Sequence, residues 1–204
     1  MKICILSTSY PRSKDDYWVP FMHSWAMELA KTEEVTVVAS GNIKAKNYEI
    51  RDNVEIHRFS YFYPKNLQKL TYSGGMKESF KQEFLPKVQL PFFMLSFLLK
   101  SLKVAKNCDV INAHWVLSGL VALPVRMLYK KPIVLTEHGG SIRGLPKWLN
   151  KFVLRRVDVI TSAHYDIIEA IKKMGIANVV DIKNFLDEDK FLGKHDTASI
   201  KKKF

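Results

Sequence analysis

Asp109-Val110-Ile111-Asn112-Ala113-His114-Trp115, an apolar stretch over 117–129, and then Pro132-Ile133-Val134-Leu135-Thr136-Glu137-His138-Gly139-Gly140-Ser141 decide the fold. The outer two segments hold short aliphatic and β-branched runs, which suit buried strands. The stretch between them has the length of a helix, although Pro124 lies inside it. Strand, helix and strand in that order imply parallel pairing through a right-handed crossover. His114 follows the first of these strands and His138 the second. Both imidazoles should therefore stand at strand carboxyl ends, where sheets of this kind bind ligands.

The alternation continues outward. Strands are expected at 2–7, 35–39, 54–58, 109–113, 133–136, 157–161 and 179–182. Helices are expected at 21–31, 76–85, 92–106 after Pro91, 117–129, 147–155 and 164–174. Ser162 can cap the last helix and Gly175 can end it. Residues 42–53 read as polar loop, and 137–144 as a Gly-rich loop. Residues 59–75 read as an aromatic, basic loop with short helical turns, broken by Pro64 and Gly74-Gly75. The strands are apolar throughout, as when both sheet faces are covered. The fold expected is α/β, a doubly wound, parallel, Rossmann-like sheet of about seven strands with helices on both faces.

Composition is that of a globular domain, 47% apolar and 25% charged. The formal charge is +12, and residues 61–106 hold eight Lys against two Glu, a local excess of six. Such an excess favours an anionic partner. Cys4 and Cys108 lie in or beside apolar runs without metal-ligand spacing, so they are expected as small buried thiols and no metal site is expected. The longest apolar run, 90–99, falls short of the ~20 residues of a membrane span. No secretory signal pattern is visible, which points to the cytoplasm.

No Gly-x-Gly-x-x-Gly follows a strand and no Walker loop occurs, so dehydrogenase, kinase and ATPase functions lose their support. No Gly-x-Ser-x-Gly elbow is present, and Asp15-Asp16 are adjacent rather than set across a site, which argues against hydrolases. Three loops at strand carboxyl ends remain: 8–18, 114–119 and 137–144. The first offers Ser9, Tyr10, Asp16, Tyr17 and Trp18, hydroxyl, carboxylate and ring faces suited to a polyhydroxylated ligand. His114 and Trp115 follow the fourth strand. His138, Gly139, Gly140 and Ser141 follow the fifth, and the glycines let a ligand approach the backbone.

These features, in order, resemble the family 4 glycosyltransferases of GT-B architecture. The matches are Tyr10-Pro11, Phe21 with Leu29-Ala30, Val35-Thr36-Val37-Val38, Asp109 to His114, Thr136-Glu137-His138-Gly139, Asp158-Val159-Ile160-Thr161-Ser162, and Asn184-Phe185-Leu186-Asp187 with Phe191. The resemblance covers 1–192 as a Rossmann-like amino-terminal domain. Residues 193–204 read as a linker or chain end, and a second, nucleotide-sugar-binding domain is absent from the sequence. The resemblance implies retaining sugar transfer, with His138 the catalytic residue reaching the donor sugar. Gly139, Gly140 and Ser141 would also touch the donor, while Ser9, Tyr10, Asp16, Tyr17, Trp18, His114 and Trp115 would line the acceptor side. The partners implied are a nucleotide sugar as co-substrate, a carbohydrate or lipid-linked acceptor, and the missing carboxyl-terminal domain, with no other cofactor and no nucleic acid. Some members bind membranes through a basic, aromatic surface of this domain, and the charge excess at 61–106 fits an anionic membrane surface, hence a peripheral position on the inner face. Three departures stand out. Asp16-Tyr17-Trp18 replaces a Gly-Gly in the first loop, Ser141 stands close to where many members have Asp after the His-Gly turn, and Phe185 replaces the usual Gly. The alternatives are a nucleotide-sugar epimerase of the same architecture and a non-catalytic basic adaptor at a membrane surface.

Overall fold

The computed structural model describes residues 1–72 and 76–183. The Gly74-Gly75 break, the Asn184 to Phe191 match and the 193–204 tail lie outside the described residues.

Eight strands form one sheet: β1 (Lys2–Ser7), β2 (Glu34–Ser40), β3 (Tyr48–Arg51), β4 (Val54–Phe59), β5 (Val110–His114), β6 (Ile133–Thr136), β7 (Val159–Ser162) and β8 (Val179–Asp181). Their order across the sheet is β3-β4-β2-β1-β5-β6-β7-β8. All neighbours are parallel except β3 with β4. The helices are α1 (Phe21–Leu29), α2 (Met76–Gln82), α3 (Leu85–Ala105), α4 (Trp115–Tyr129), α5 (Gly140–Gly144), α6 (Lys147–Leu154) and α7 (Tyr165–Lys172).

Alternate residues of a strand point to opposite faces, and the core divides accordingly. Ile3, Ile5, Val35, Val37, Val54 and Ile56 pack with Met22, Trp25 and Ala26 of α1. Cys4, Leu6, Val38 and Phe59 turn the other way, onto Phe93 and Phe97 of α3 and onto α4. Both cysteines are buried free thiols. Gly119 seats α4, since a Cβ there would come within 2.5 Å of Leu135 Cδ1 and 2.8 Å of a Val153 methyl. The chain winds outward in both directions from β1, which lies between β2 and β5. The β1/β5 junction is therefore the topological switch point, and Ser7 there pairs with His114.

The fold class is as expected, and several elements differ. β3 falls within the expected loop 42–53. It forms a hairpin with β4 through Asp52 (φ 49°) and Asn53 (φ 61°), both left-handed as a two-residue hairpin turn requires. The helix expected from 92 begins at Leu85 and runs through Pro91. Pro91 and Lys87 are both on the exposed side, where water can serve the carbonyl that the proline leaves without a donor. At 21 residues α3 is long and apolar enough to cross a membrane by length and composition. It is instead a layer of this fold, with Gln89, Phe93, Phe97, Ser101 and Ala105 buried. The Gly-rich loop contains a short helix, α5. The α7 N-cap is His164, whose amide donates to Ser162 Oγ at 3.3 Å. Gly175 has φ 76° beyond that helix, as its position suggested.

Candidate functional site

His114 is the last residue of β5, fully buried, and begins a chain of polar contacts at the switch point. Its Nε2 lies 2.9 Å from Asn112 Oδ1, and its Nδ1 lies 2.9 Å from His138 Nε2. The two imidazoles are nearly parallel, 13° apart, with centroids 5.2 Å apart. With a 2.9 Å N···N contact, they lie edge to edge rather than face to face. Asn112 Nδ2 donates to Val134 O at 3.3 Å and Thr136 Oγ1 at 3.0 Å. Burial, and then His138, holds His114 well below the usual histidine range. Burial, and then His164, takes His138 down to about 4. Both rings are neutral at pH 7.

Aromatic rings frame His138. Phe21 of α1 is 5.0 Å away edge-on and Trp115 is 5.2 Å away. Trp25 meets His114 at 5.7 Å. Trp115 has φ 67°, a left-handed conformation that a bulky L-residue adopts at a cost of roughly 1–2 kcal/mol. Such strain gathers at functional sites. Here it places the indole beside His138 at the start of α4.

Beneath His138 sits Glu137, fully buried. Its Oε1 accepts from the amides of Gly139 at 2.9 Å and Ser141 at 3.2 Å, while Oε2 has no partner. Burial raises its pKa to about 7. Ser141 Oγ accepts the Val116 amide at 3.1 Å, tying α5 to α4. The glycine turn is thus only partly open. Gly139, at φ 95°, has its amide engaged by Glu137, and Ser141 is buried and internally bonded. Gly140 is exposed.

The first loop makes a separate pocket of about 440 Å³, lined by Arg12, Asp15, Asp16, Tyr17, Trp18, Lys44 and Tyr72 among others. Arg12 donates through Nε and Nη2 to both oxygens of Asp16, at 2.6 and 2.8 Å. Asp16 also accepts the Arg12 and Trp18 amides. These bonds, that from the Arg12 side chain foremost, hold its carboxyl down at about 2. Buried Arg58 donates to Pro11 O at 2.6 Å and fixes the base of the loop.

Asp16, Tyr17 and Trp18 therefore line one pocket. Trp115, His138 and Gly140 gather at the neighbouring rim, with His114 fully buried behind His138. Ser9 and Tyr10 are buried and line neither. Ser9 closes a buried turn with Ser7. Tyr10 is fully buried, with its hydroxyl 2.6 Å from His23 Nδ1. Gly139 and Ser141 shape the turn from within. The sequence reading missed Asn112, Glu137 and Phe21 as site residues. A carboxylate two and four residues before the engaged amides was a legible sign for Glu137, as in helix-start capping. Among the described residues no group of His, Cys, Asp or Glu could hold a metal.

A mostly parallel, Rossmann-like sheet with its switch point at β1/β5 is the layout of one lobe of a GT-B glycosyltransferase. Residues 20–190 match the model of Glycosyltransferase Family 4, and the chain belongs to that family. No curated protein matches the chain in sequence. Among solved structures it is similar to HepE of Anabaena, in complex with UDP and glucose, at 15% identity and TM-score 0.65, covering 99% of this chain and 48% of that one. Sucrose-phosphate synthase of Thermosynechococcus elongatus matches at 14% identity and TM-score 0.60, over 89% and 47%. The catalytic domain of starch synthase IV of Arabidopsis thaliana, bound to ADP and acarbose, matches at 12% identity and TM-score 0.57, over 93% and 52%. The chain thus spans about half the length of these three.

Proposed function

We propose that this chain is the acceptor-side, amino-terminal half of a retaining glycosyltransferase that moves a hexose from a nucleotide sugar to a carbohydrate or lipid-linked acceptor. The observation that carries this is the neutral His114–His138 pair at the switch point. An uncharged, partly dehydrated polar group framed by rings suits a sugar, whose hydroxyls want hydrogen bonds and whose ring faces want aromatic contact. The nucleotides in the HepE and starch synthase IV structures support a nucleotide-sugar donor as co-substrate. In this arrangement His138 meets the donor sugar across the cleft and Trp115 packs beside it. The acceptor enters over the pocket at Asp16, Tyr17 and Trp18. A second lobe supplies the nucleotide site. Charge developing on the leaving phosphate is stabilised from that lobe, because the neutral histidines here carry no positive charge to offer. An epimerase would need an acid and a base exposed at the cleft, whereas Glu137 is sealed beneath the turn.

The test is transfer and donor hydrolysis by the full-length protein across several nucleotide sugars. His138→Ala should lower kcat/KM by roughly 10²-fold or more, the scale of losing a positioned polar contact in a water-poor site. Undiminished activity in that variant would overturn the assignment.

An anionic membrane surface, on the cytoplasmic side, is the proposed setting. The outward face of α3 carries exposed Val88, Phe92, Leu95 and Leu99, spaced by four, three and four residues, with exposed Phe84 just before the helix. That spacing draws one apolar stripe along a helix. Lys87, Lys100, Lys103 and Lys106 accompany it. Apolar stripe and lysines together suit a helix lying in the headgroup region of acidic lipid. The chain should sediment with phosphatidylglycerol vesicles at low salt and not with phosphatidylcholine vesicles, and Phe92→Ser with Leu95→Ser should release it. Equal binding to both vesicle types, or to neither, would contradict this setting.

A further inference from the structure

The hydrogen bonds around His114 run in one direction only. Asn112 Nδ2 lies against the Val134 carbonyl, which can only accept, so that atom is the amide nitrogen and Oδ1 faces His114. Oδ1 accepts, so His114 Nε2 carries the proton. A neutral His114 then has a bare Nδ1, and the 2.9 Å contact to His138 Nε2 requires His138 to donate. A neutral His138 with its proton on Nε2 has a bare Nδ1. That atom has no partner among the described residues, and it is not among the buried unpaired polar atoms, so solvent reaches it.

We propose that Asn112, acting through His114, fixes His138 as the Nε2–H tautomer and so gives the cleft rim a hydrogen-bond acceptor that selects a hydroxyl group rather than a phosphate oxygen. A phosphate oxygen offers no proton to a bare nitrogen, whereas a sugar hydroxyl does. Asn112 is thus a positioning residue, two side chains removed from the ligand. Reversing the His138 tautomer would set its Nε2 lone pair against that of His114 Nδ1. The Thr136 hydroxyl takes part from the far end. It accepts from Asn112 and from Thr161 Oγ1, each at 3.0 Å, so its own proton does not compete for the Asn112 amide. That the hydroxyl belongs to the donor sugar rests on the function proposed above; the tautomer does not.

The experiment is nuclear magnetic resonance of the chain with 15N-labelled histidine, without ligand, at pH 7. His138 should show a protonated Nε2 and a bare Nδ1, with coupling across the bond to His114. In Asn112→Ala the tautomer ratio should move by roughly 5- to 10-fold towards Nδ1–H, the scale of one lost hydrogen bond. Wild-type His138 already protonated at Nδ1 would overturn the proposal without recourse to any variant. An unchanged pattern in a folded Asn112→Ala would overturn the part of Asn112. The expected tautomer in a protein whose His138→Ala variant still transfers sugar would instead remove the function and leave the relay standing.

Discussion

The two rims that meet at the switch point are built by opposite means. The first loop is held by charge, with Arg12 clamping Asp16 and Arg58 anchoring Pro11. The β5/β6 rim is held by neutral groups, a chain from Asn112 through two uncharged histidines over a buried Glu137. Asp16 is largely buried, with four hydrogen bonds to its carboxylate, and Arg58 is fully buried, so salt reaches this clamp chiefly through Arg12. Neutral bonds in a dehydrated site are directional and depend on complete pairing. One rim is thus set by opposite charges, the other by the direction of its hydrogen bonds.

The larger expected effect lies on the neutral side. The native Glu137 carboxyl titrates at about 7 against 4.5 in the unfolded chain. Between those values the native state binds more protons, so this group's contribution to stability is full below about pH 4.5 and is lost as pH rises towards 7. The difference amounts to up to about 3 kcal/mol. His138, at about 4 against 6.5, works the other way. Its native state binds fewer protons, so its contribution is full above about pH 6.5 and falls on acidification towards 4. In the wild type the two slopes oppose each other across the shared window. Glu137→Gln should remove one of them. Its stability, measured by urea unfolding, should rise with pH from 4.5 to 6.5 and exceed that of the wild type at pH 8. Parallel pH profiles for the two proteins would show that the rim is not built on a buried carboxyl.

The smaller effect lies on the charged side. Asp16 at about 2 contributes stability above its unfolded value of 3.8 and loses it as pH falls through 2. The Asp16 side chain is 7% exposed and accepts four hydrogen bonds, so Asp16→Asn should cost about 2 kcal/mol at pH 7, the worth of that drop in its pKa. A change there as large as the Glu137→Gln difference, and of the same sign, would erase the contrast between the rims.

The sequence made the parallel frame and both histidines legible, because β1, β5 and β6 are short, largely apolar runs, each followed by a polar or glycine-rich segment. β3 was hidden because Tyr48-Glu49-Ile50-Arg51 is an edge strand whose burial alternates between exposed and intermediate, so it resembles loop. Only Asp52-Asn53 marked the hairpin. Pro91 masked the first turns of α3, since a proline ordinarily opens a helix rather than lying inside one. At the site, Asn112 passed as part of an apolar strand. Its role depends on Val134 and Thr136 of the neighbouring strand, a relation that no local pattern contains. Tyr10 misled for the converse reason. A loop tyrosine suggests an exposed ring, yet this one fills the space between α1 and the sheet.

A structure of the full-length protein with an intact nucleotide sugar tests the central claim most directly. His138 Nδ1 should lie about 2.8 Å from a hydroxyl of the donor sugar, a normal hydrogen-bond length, with Trp115 against the sugar. Phosphate oxygens at His138, or a donor bound away from the β1/β5 junction, would contradict it.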